Sequence, residues 1–398
     1  MIPMLRITIG VVLCLTGMLA VDSRADAKTI TAASCGHAHV QRALSRANDG
    51  DTVDVPRGRC AWEAFSLEKA IHLRGAGSDA THVRLEGPVT LGKSSFGSVE
   101  LSGFAFALDR SASERMFVVE GPWSAEPPLI HDNVFDLTEG GRTQPTAGIL
   151  RYETNGGVIY DNLFRGNWDD SGIQHKLRED EDSWSVVDTI GVRDEDGKRN
   201  LYVEDNIFEG MVNQATDFDD HSRIVFRYNV LRSSSFNTHG LATSPVGVRH
   251  FEIYNNAFGY PDNTVNQNWH IWLRGGTGVI YGNYFDDITG QMWGDNSELH
   301  LSVRAVDDGS PEGCCTQWPC KHQLGQNYDG EQQFLDTIRI WGNTGTLRPM
   351  INSGWSGVCG QDIDEYLLEG REYMFTTSAK HGYEPYPYPH PLRNVSRR

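Results

Sequence analysis

Along the chain a short unit recurs, in which a β-type apolar residue stands three places before an Asn and an apolar residue, usually Phe, two places after it. Ile130-His131-Asp132-Asn133-Val134-Phe135 is one copy, and Ile159 to Phe164 around Asn162 is the next. Further copies centre on Asn206 (Val203, Phe208), Asn229 (Phe226, Leu231), Asn256 (Ile253, Phe258) and Asn283 (Ile280, Phe285), and Asn343 behind Ile340 is a degraded one. The separations are 29, 44, 23, 27, 27 and 60 residues, so the shortest sets the base period and the longer ones carry insertions. A unit of this length, built from short Val/Ile/Phe strands, cannot bury its apolar face alone. Successive units must stack, with their strands paired in parallel. Asn suits a tight bend because it tolerates a left-handed backbone, and stacked side-chain amides can hydrogen-bond from coil to coil. The Phe two places on would form a second stack inside. The pattern predicts an all-β chain folded as a right-handed parallel β-helix, a solenoid.

Ahead of the repeats, Val40, Ala43, Leu44 and Ala47 fall on one face of a short helix. The turn Asn48-Asp49-Gly50-Asp51 and the strand Thr52-Val53-Asp54-Val55-Pro56 follow it. Such an N-terminal capping helix would cover strand edges that otherwise invite end-to-end association. Earlier still, Arg6, the apolar stretch from Ile7 to Leu19 and the small-x-small run Ala25-Asp26-Ala27 read as an export signal. The expected organisation is a signal peptide over 1–27 and a single β-helix domain over 28–398. Within it, 28–75 would hold the cap and first coil, 98–345 the coils, and 346–398 a tail packed on the helix. The leader's apolar stretch is too short to span a bilayer comfortably, and nothing later is long and apolar enough to do so. The mature protein is therefore expected to be secreted or periplasmic, off the membrane and monomeric.

Export makes disulfides permissible, and six cysteines remain after Cys14 leaves with the leader. Cys35 and Cys60 are expected to pair. Cys314, Cys315, Cys320 and Cys359 would form two more bridges, with a zinc knot as the rival reading. The formal net charge is −18, and removing 1–27 leaves it unchanged because Arg6 and Arg24 cancel Asp22 and Asp26. That charge argues against nucleic acid as a partner. An acidic polysaccharide partner would need positive groups gathered locally.

The segment from Cys35 through Asp49-Gly50-Asp51-Thr52-Val53 to Cys60, the N-x-F coils, and the tail Tyr383-Glu384-Pro385-Tyr386-Pro387-Tyr388-Pro389-His390-Pro391-Leu392 together resemble secreted members of the pectate-lyase-like β-helix superfamily. The resemblance covers most of the mature chain. It implies a fold, and an exported protein that acts on extracellular polysaccharide; the superfamily holds lyases, glycoside hydrolases, epimerases, esterases and non-catalytic fibres.

In stacked coils equivalent positions lie about 4.8 Å apart, so columns of outward side chains matter more than linear motifs. The richest runs are Thr216-Asp217-Phe218-Asp219-Asp220-His221, Asn237-Thr238-His239-Gly240, Trp269-His270-Ile271-Trp272-Leu273-Arg274 and His300-Leu301-Ser302-Val303-Arg304. Matching His270-x-x-x-Arg274 to His300-x-x-x-Arg304 puts Asp217, His239, His270 and His300 in one expected column. Asp219 and Trp272 fall in the next, and His221, Arg274 and Arg304 in a third. Such a face suits β-elimination on a uronate sugar, which needs a cation for the carboxylate, a base for the C5 proton and an acid for the leaving oxygen. Arg274 and Arg304 would supply the cation, and His239 or His270 the base, its tautomer set by Asp217 or Asp219. Trp269 and Trp272 would carry pyranose rings, with His300, His221 and Asn237 also touching substrate. A lyase is the first expectation. An inverting hydrolase using Asp217, Asp219 and Asp220, or a uronate epimerase, whose Asp/His core the run Asp217 to Ser222 resembles, are the alternatives on the same fold. A polysaccharide-binding β-helix without catalysis is the alternative of another class. No cofactor is demanded: Asp217, Asp219 and Asp220 are candidate Ca²⁺ ligands without an accompanying Gly loop. A transition metal on His239, His270 and His300 would have to bridge about 9.6 Å over three coils. The run from Gly166 to Val187, with Trp168, His175, Lys176 and Trp184, reads as a polar insertion walling a cleft, Lys176 being a reserve base expected in solvent.

Overall fold

Each repeat Asn up to Asn283 sits buried at a bend between two walls of strands and is bonded to its counterpart one coil along. The side-chain amides of Asn133, Asn162, Asn206, Asn229, Asn256 and Asn283 each donate to Oδ1 of the next Asn at 3.0–3.2 Å, ending on Asn343. The same oxygens accept the backbone N–H of the preceding Asn, at 2.9–3.1 Å. The left-handed backbone, however, belongs to the residue before each Asn. Asp132, Asp161, Asp205, Tyr228 and Asn255 have φ of 52–58°, and Gly282 and Gly342 occupy the same place at 64° and 62°. Turning the chain one residue earlier commits the Asn N–H to the ladder as well as its side chain. The second ladder also forms: Phe106, Phe135, Phe164 and Phe208 follow one another at centroid separations of 5.7, 5.1 and 4.8 Å. Leu231 continues it by strand register, and Phe258 and Phe285 stack at 5.1 Å beyond.

The computed structural model describes residues 27–92, 99–121, 127–138, 147–177, 194–238, 247–259, 269–288, 297–303, 318–320, 322–329, 331–351 and 366–394. They form a right-handed parallel β-helix with three walls. The first is a 12-stranded parallel sheet running from Thr29–Thr31 to Tyr373–Thr376, and the second a 10-stranded one from Gly58–Trp62 to Thr344–Gly345. The third consists of a 6-stranded sheet from Phe65–Leu67 to Gln214–Phe218 and a 4-stranded one from Phe236–Asn237 to Pro349–Ile351. A parallel bridge between Phe218 and Thr238 carries that wall across the break. The three walls enclose one continuous apolar core from Val53 to Tyr373.

The helix His37–Arg46 buries Val40, Ala43 and Leu44 against the first coil, as its spacing predicts. A disulfide between Cys35 and Cys60 ties the residues before it to the second wall. Cys320 is disulfide-bonded too, which removes it from a zinc knot; Cys314, Cys315 and Cys359 lie outside the described residues. At the other end of the chain, Arg227 is fully buried in an ion pair with Glu204 at 2.7 Å and donates to the carbonyls of Tyr386 and Pro387. Tyr383 donates to Glu252 at 2.7 Å, and Arg393 reaches Asp161, Glu204 and Asp205. The aromatic tail is thus bonded along the first wall. Among the described residues no helix is long and apolar enough to cross a membrane.

Candidate functional site

On the third wall, period-two alternation sends Ile173, Phe218, Phe236, Ile271, Leu273, Leu299 and Leu301 inward, all fully buried. The intervening residues form two outward columns. Arg151, Gln174 and Asp217 are successive Cα partners, as are Asn237, Trp272 and His300, and the Phe218–Thr238 bridge sets Asn237 beside Asp217. Two places along each strand the second column runs through Lys176, Asp219, Arg274 and Ser302. The expected register was therefore out by two residues at two steps and by four at the step between them: His300 pairs with Trp272, not with His270, Asp217 stands beside Asn237 rather than beside His239, and Asn237 pairs with Trp272 where His239 was matched to His270.

The central feature is a cation among carboxylates. Lys176 Nζ lies 2.9 Å from Asp219 Oδ2 and 3.9 Å from Asp217 Oδ2. Gln174 donates to the same Asp217 oxygen at 3.3 Å. Burial pushes the Asp219 carboxyl well above the usual carboxylate range, and the neighbouring charges of Asp217 and Asp220 add to this while Lys176 opposes it. For Lys176, burial is outweighed by Asp217, Asp219 and Asp220, which hold its ammonium above its ordinary value. Three acids around one base leave the cluster with surplus negative charge, and Asp219 is the acid whose proton affinity burial raises. Lys176 is thus a half-buried, paired cation instead of a solvated one. Its strand, Ser171–His175, is part of the wall and not a polar insertion, with His175 fully buried against Tyr152 and Phe218. Residues 178–193 lie outside the described residues.

Two coils beyond Asp219, Arg274 donates from Nε to the Thr238 carbonyl at 2.6 Å and from Nη2 to Asn237 Oδ1 at 3.0 Å. Its guanidinium lies 4.0 Å from the Trp272 ring centroid. Trp272 in turn donates to Ser302 Oγ at 2.8 Å and stacks on His300, ring centroids 5.0 Å apart and 2° from parallel. Trp269 packs edge-on to Trp272 at 4.4 Å and is the more exposed of the two. Burial, with the adjacent Arg274 charge, pushes the His300 imidazole down to about 3, so it is neutral in this stack.

Three expected placements need correction. His270 is fully buried between Phe258 and Phe285, bonded through Nε2 to the Asp286 carbonyl at 2.8 Å, and burial lowers its imidazole to about 4. Two ring faces and a carbonyl at the wall's corner draw it out of the outward column, so it is no exposed base. His221 is likewise fully buried, at a turn where Asp220 and His221 both take left-handed backbone, φ 41° and 66°. Consecutive left-handed residues that are not Gly are costly, and Asp and His are among the side chains that tolerate the region best. Asp220 is fully buried in this turn, and Asp217 and Asp219 are buried beside Lys176. His239 and Arg304 lie outside the described residues. The structure therefore brings together Asp217, Asp219, Asn237, Trp272, Arg274 and His300, and adds Lys176, which alternation on its strand marks as outward.

No protein-family model matches the chain, and no curated protein does. Among solved structures, it is similar to an alginate lyase from Paenibacillus sp. str. FPU-7, with a TM-score of 0.44 and 10% identity over 82% of this chain and 98% of that one. The A-module of a mannuronan C-5 epimerase from Azotobacter vinelandii gives 0.43 and 14%, over 80% of this chain and 84% of the other. A PL6 family polysaccharide lyase from Pseudopedobacter saltans gives 0.43 and 11%, over 91% and 94%.

Proposed function

We propose that the chain is an exported enzyme acting on an acidic extracellular polysaccharide, and that it is a lyase cleaving a uronate chain by β-elimination on the third wall. The observation that carries this reading is the pairing of the buried Asp219 carboxyl, which burial raises above the usual carboxylate range, with the Lys176 ammonium, in the column of Arg274 and one column from Asn237. Elimination needs positive charge where the substrate carboxylate becomes enolate-like, and a proton for the departing oxygen. Lys176 and Arg274 supply the first at largely buried positions, and Asp219 supplies the second. Asp217 holds Lys176 in place. The base that takes the C5 proton is assigned to His239, which follows Thr238 directly in the sequence. Trp269, at the edge of the ring cluster, offers an apolar plate to a pyranose. The disulfide between Cys35 and Cys60 is consistent with an oxidising compartment, as export requires.

The test is incubation of the mature protein with a panel of uronate polysaccharides while following ultraviolet absorbance from the new conjugated C=C bond. A rise with wild-type protein, lost in Asp219→Asn, Lys176→Met and His239→Ala, supports the reading. Reducing ends without that absorbance would make the protein a hydrolase. Solvent deuterium entering C5 without chain cleavage would make it an epimerase, which shares the proton-abstraction step. Retention on a glycan gel with no turnover would leave a binding protein.

A further inference from the structure

On the first wall, away from this chemistry, three side chains from successive coils converge. His72 and Glu100 are Cα partners on adjacent strands, and His131 lies one coil further, two places beyond Leu129, the partner of Glu100. The intervening Leu73, Leu101 and Ile130 are buried, so all three polar residues face out, with 13–15% of each side chain exposed. Glu100 Oε1 is 3.2 Å from His72 Nδ1 and 3.2 Å from His131 Nε2, and the three potential ligand atoms lie within 4.8 Å of one another. Ligands of a tetrahedral ion with bonds of about 2.0–2.1 Å stand about 3.3 Å apart. Two of the three separations already have that value, and a modest approach of the two imidazoles completes the set.

The far side of each ring is fixed as a metal ligand's would be. His131 Nδ1 is bonded to Asp132 Oδ2 at 2.7 Å, and His72 Nε2 to Ser102 Oγ at 2.7 Å. A carboxylate only accepts, so Nδ1 of His131 is the donor to Asp132, and Nε2 faces the Glu100 carboxylate at 3.2 Å. With the ring protonated, that nitrogen donates to Glu100; a metal ion would take the place of this proton and bond to both groups. An outer carboxylate that fixes tautomer and ring orientation is the usual partner of a metal-bound imidazole. Tyr160 holds the His131 ring further, stacked at 4.5 Å and 10°.

We propose that His72, Glu100 and His131 form a binding site for a divalent transition-metal ion such as Zn²⁺, which clamps three successive coils and leaves a fourth position open. Two imidazoles and one carboxylate suit zinc, cobalt, nickel or copper; Ca²⁺ would want six or more oxygens. The site is separate from the acidic cluster on the third wall and does not depend on the activity assigned there.

The test uses untagged full-length protein freed of metal with a chelator. Titration with Zn²⁺ in a calorimeter should show one equivalent bound, and the thermal unfolding midpoint should rise with it. Co²⁺ in place of Zn²⁺ should give the intense visible absorption of a four-coordinate ion. His131→Ala should abolish both signals. Asp132→Asn, which keeps all three ligands and alters an exposed side chain, should weaken Zn²⁺ binding roughly 10- to 100-fold. Absence of saturable binding to the wild type overturns the proposal, and so does unchanged affinity in both variants.

Discussion

At the scale of single residues, Asp219 and Arg274 carry the clearest expectations. The Asp219 carboxyl is raised by burial and by Asp217 and Asp220, against Lys176, so the folded protein binds a proton there more tightly than the unfolded chain does. Stability linked to this group is therefore present at low pH and declines as pH rises from the unfolded value toward the folded one. Asp219→Asn removes the strain of ionising a buried group while keeping its shape. The variant should melt a few degrees above wild type at pH 8, show no such gain at pH 4, and have lost turnover. An unchanged midpoint at pH 8 would mean that Lys176 fully compensates the charge. Arg274 differs, because its value lies in its fork: Nε and Nη2 reach two acceptors on the neighbouring coil while the guanidinium plane lies against Trp272. Lysine can satisfy one of these contacts but not all three. Arg274→Lys should cost about 1–3 kcal/mol in chemical denaturation and reduce turnover strongly.

At the scale of elements, the Asn ladder gives a graded prediction. Asn206 is fully buried; its amide donates to three oxygens and its Oδ1 accepts two bonds from Asn162. Asn343 ends the ladder half-buried. Asn206→Ala should destabilise by about 3 kcal/mol or more, since several buried groups lose partners together, and Asn343→Ala by about 1 kcal/mol, as urea unfolding would show. This ladder was legible because every repeat meets the same local requirement, and the requirement repeats in the sequence. The outward columns of the third wall were legible only in part. A one-residue slip would drive Ile271 and Leu273 out of the core, so the apolar pattern fixes which side chains face outward. A two-residue slip leaves that pattern untouched, and the chain between Thr238 and Trp269 is long enough to accommodate either register. The sequence thus identified Asp217, Asn237, Trp272 and Arg274 as neighbours on one wall but set the histidines in the wrong row. His270 shows a second limit, since its place in the alternation matches Trp272 and Arg274 while the corner formed by Phe258 and Phe285 draws it inside. Lys176 was misjudged for the opposite reason: a polar stretch reads as solvated until the partners that bury it, on another coil, are known.

Across the whole molecule, the histidines within and along the third wall couple its stability to pH in one direction. His175 and His270 are lowered to about 4 by burial, and His300 to about 3 by burial and Arg274. Each is neutral in the fold and charged, below about pH 6.5, in the unfolded chain, so the unfolded state binds more protons between that pH and the folded values. Stability contributed by these groups is fully present above pH 6.5 and is lost as pH falls toward 4. His131 shifts the other way: burial is outweighed there by Glu100 and Asp132, but below pH 6.5 it is protonated in both states and adds no slope. Asp219, raised by burial, works in the opposite direction, while His390, lowered to about 4 mainly by burial, adds to the trend. A net uptake of protons on unfolding is expected near pH 5, read from the slope of unfolding free energy against pH. A flat profile between pH 6.5 and 4.5 would mean that these imidazoles are charged within the wall. The parallel stack could not then be packed as described around them, because a charged ring at His270 would stand fully buried between two phenylalanines.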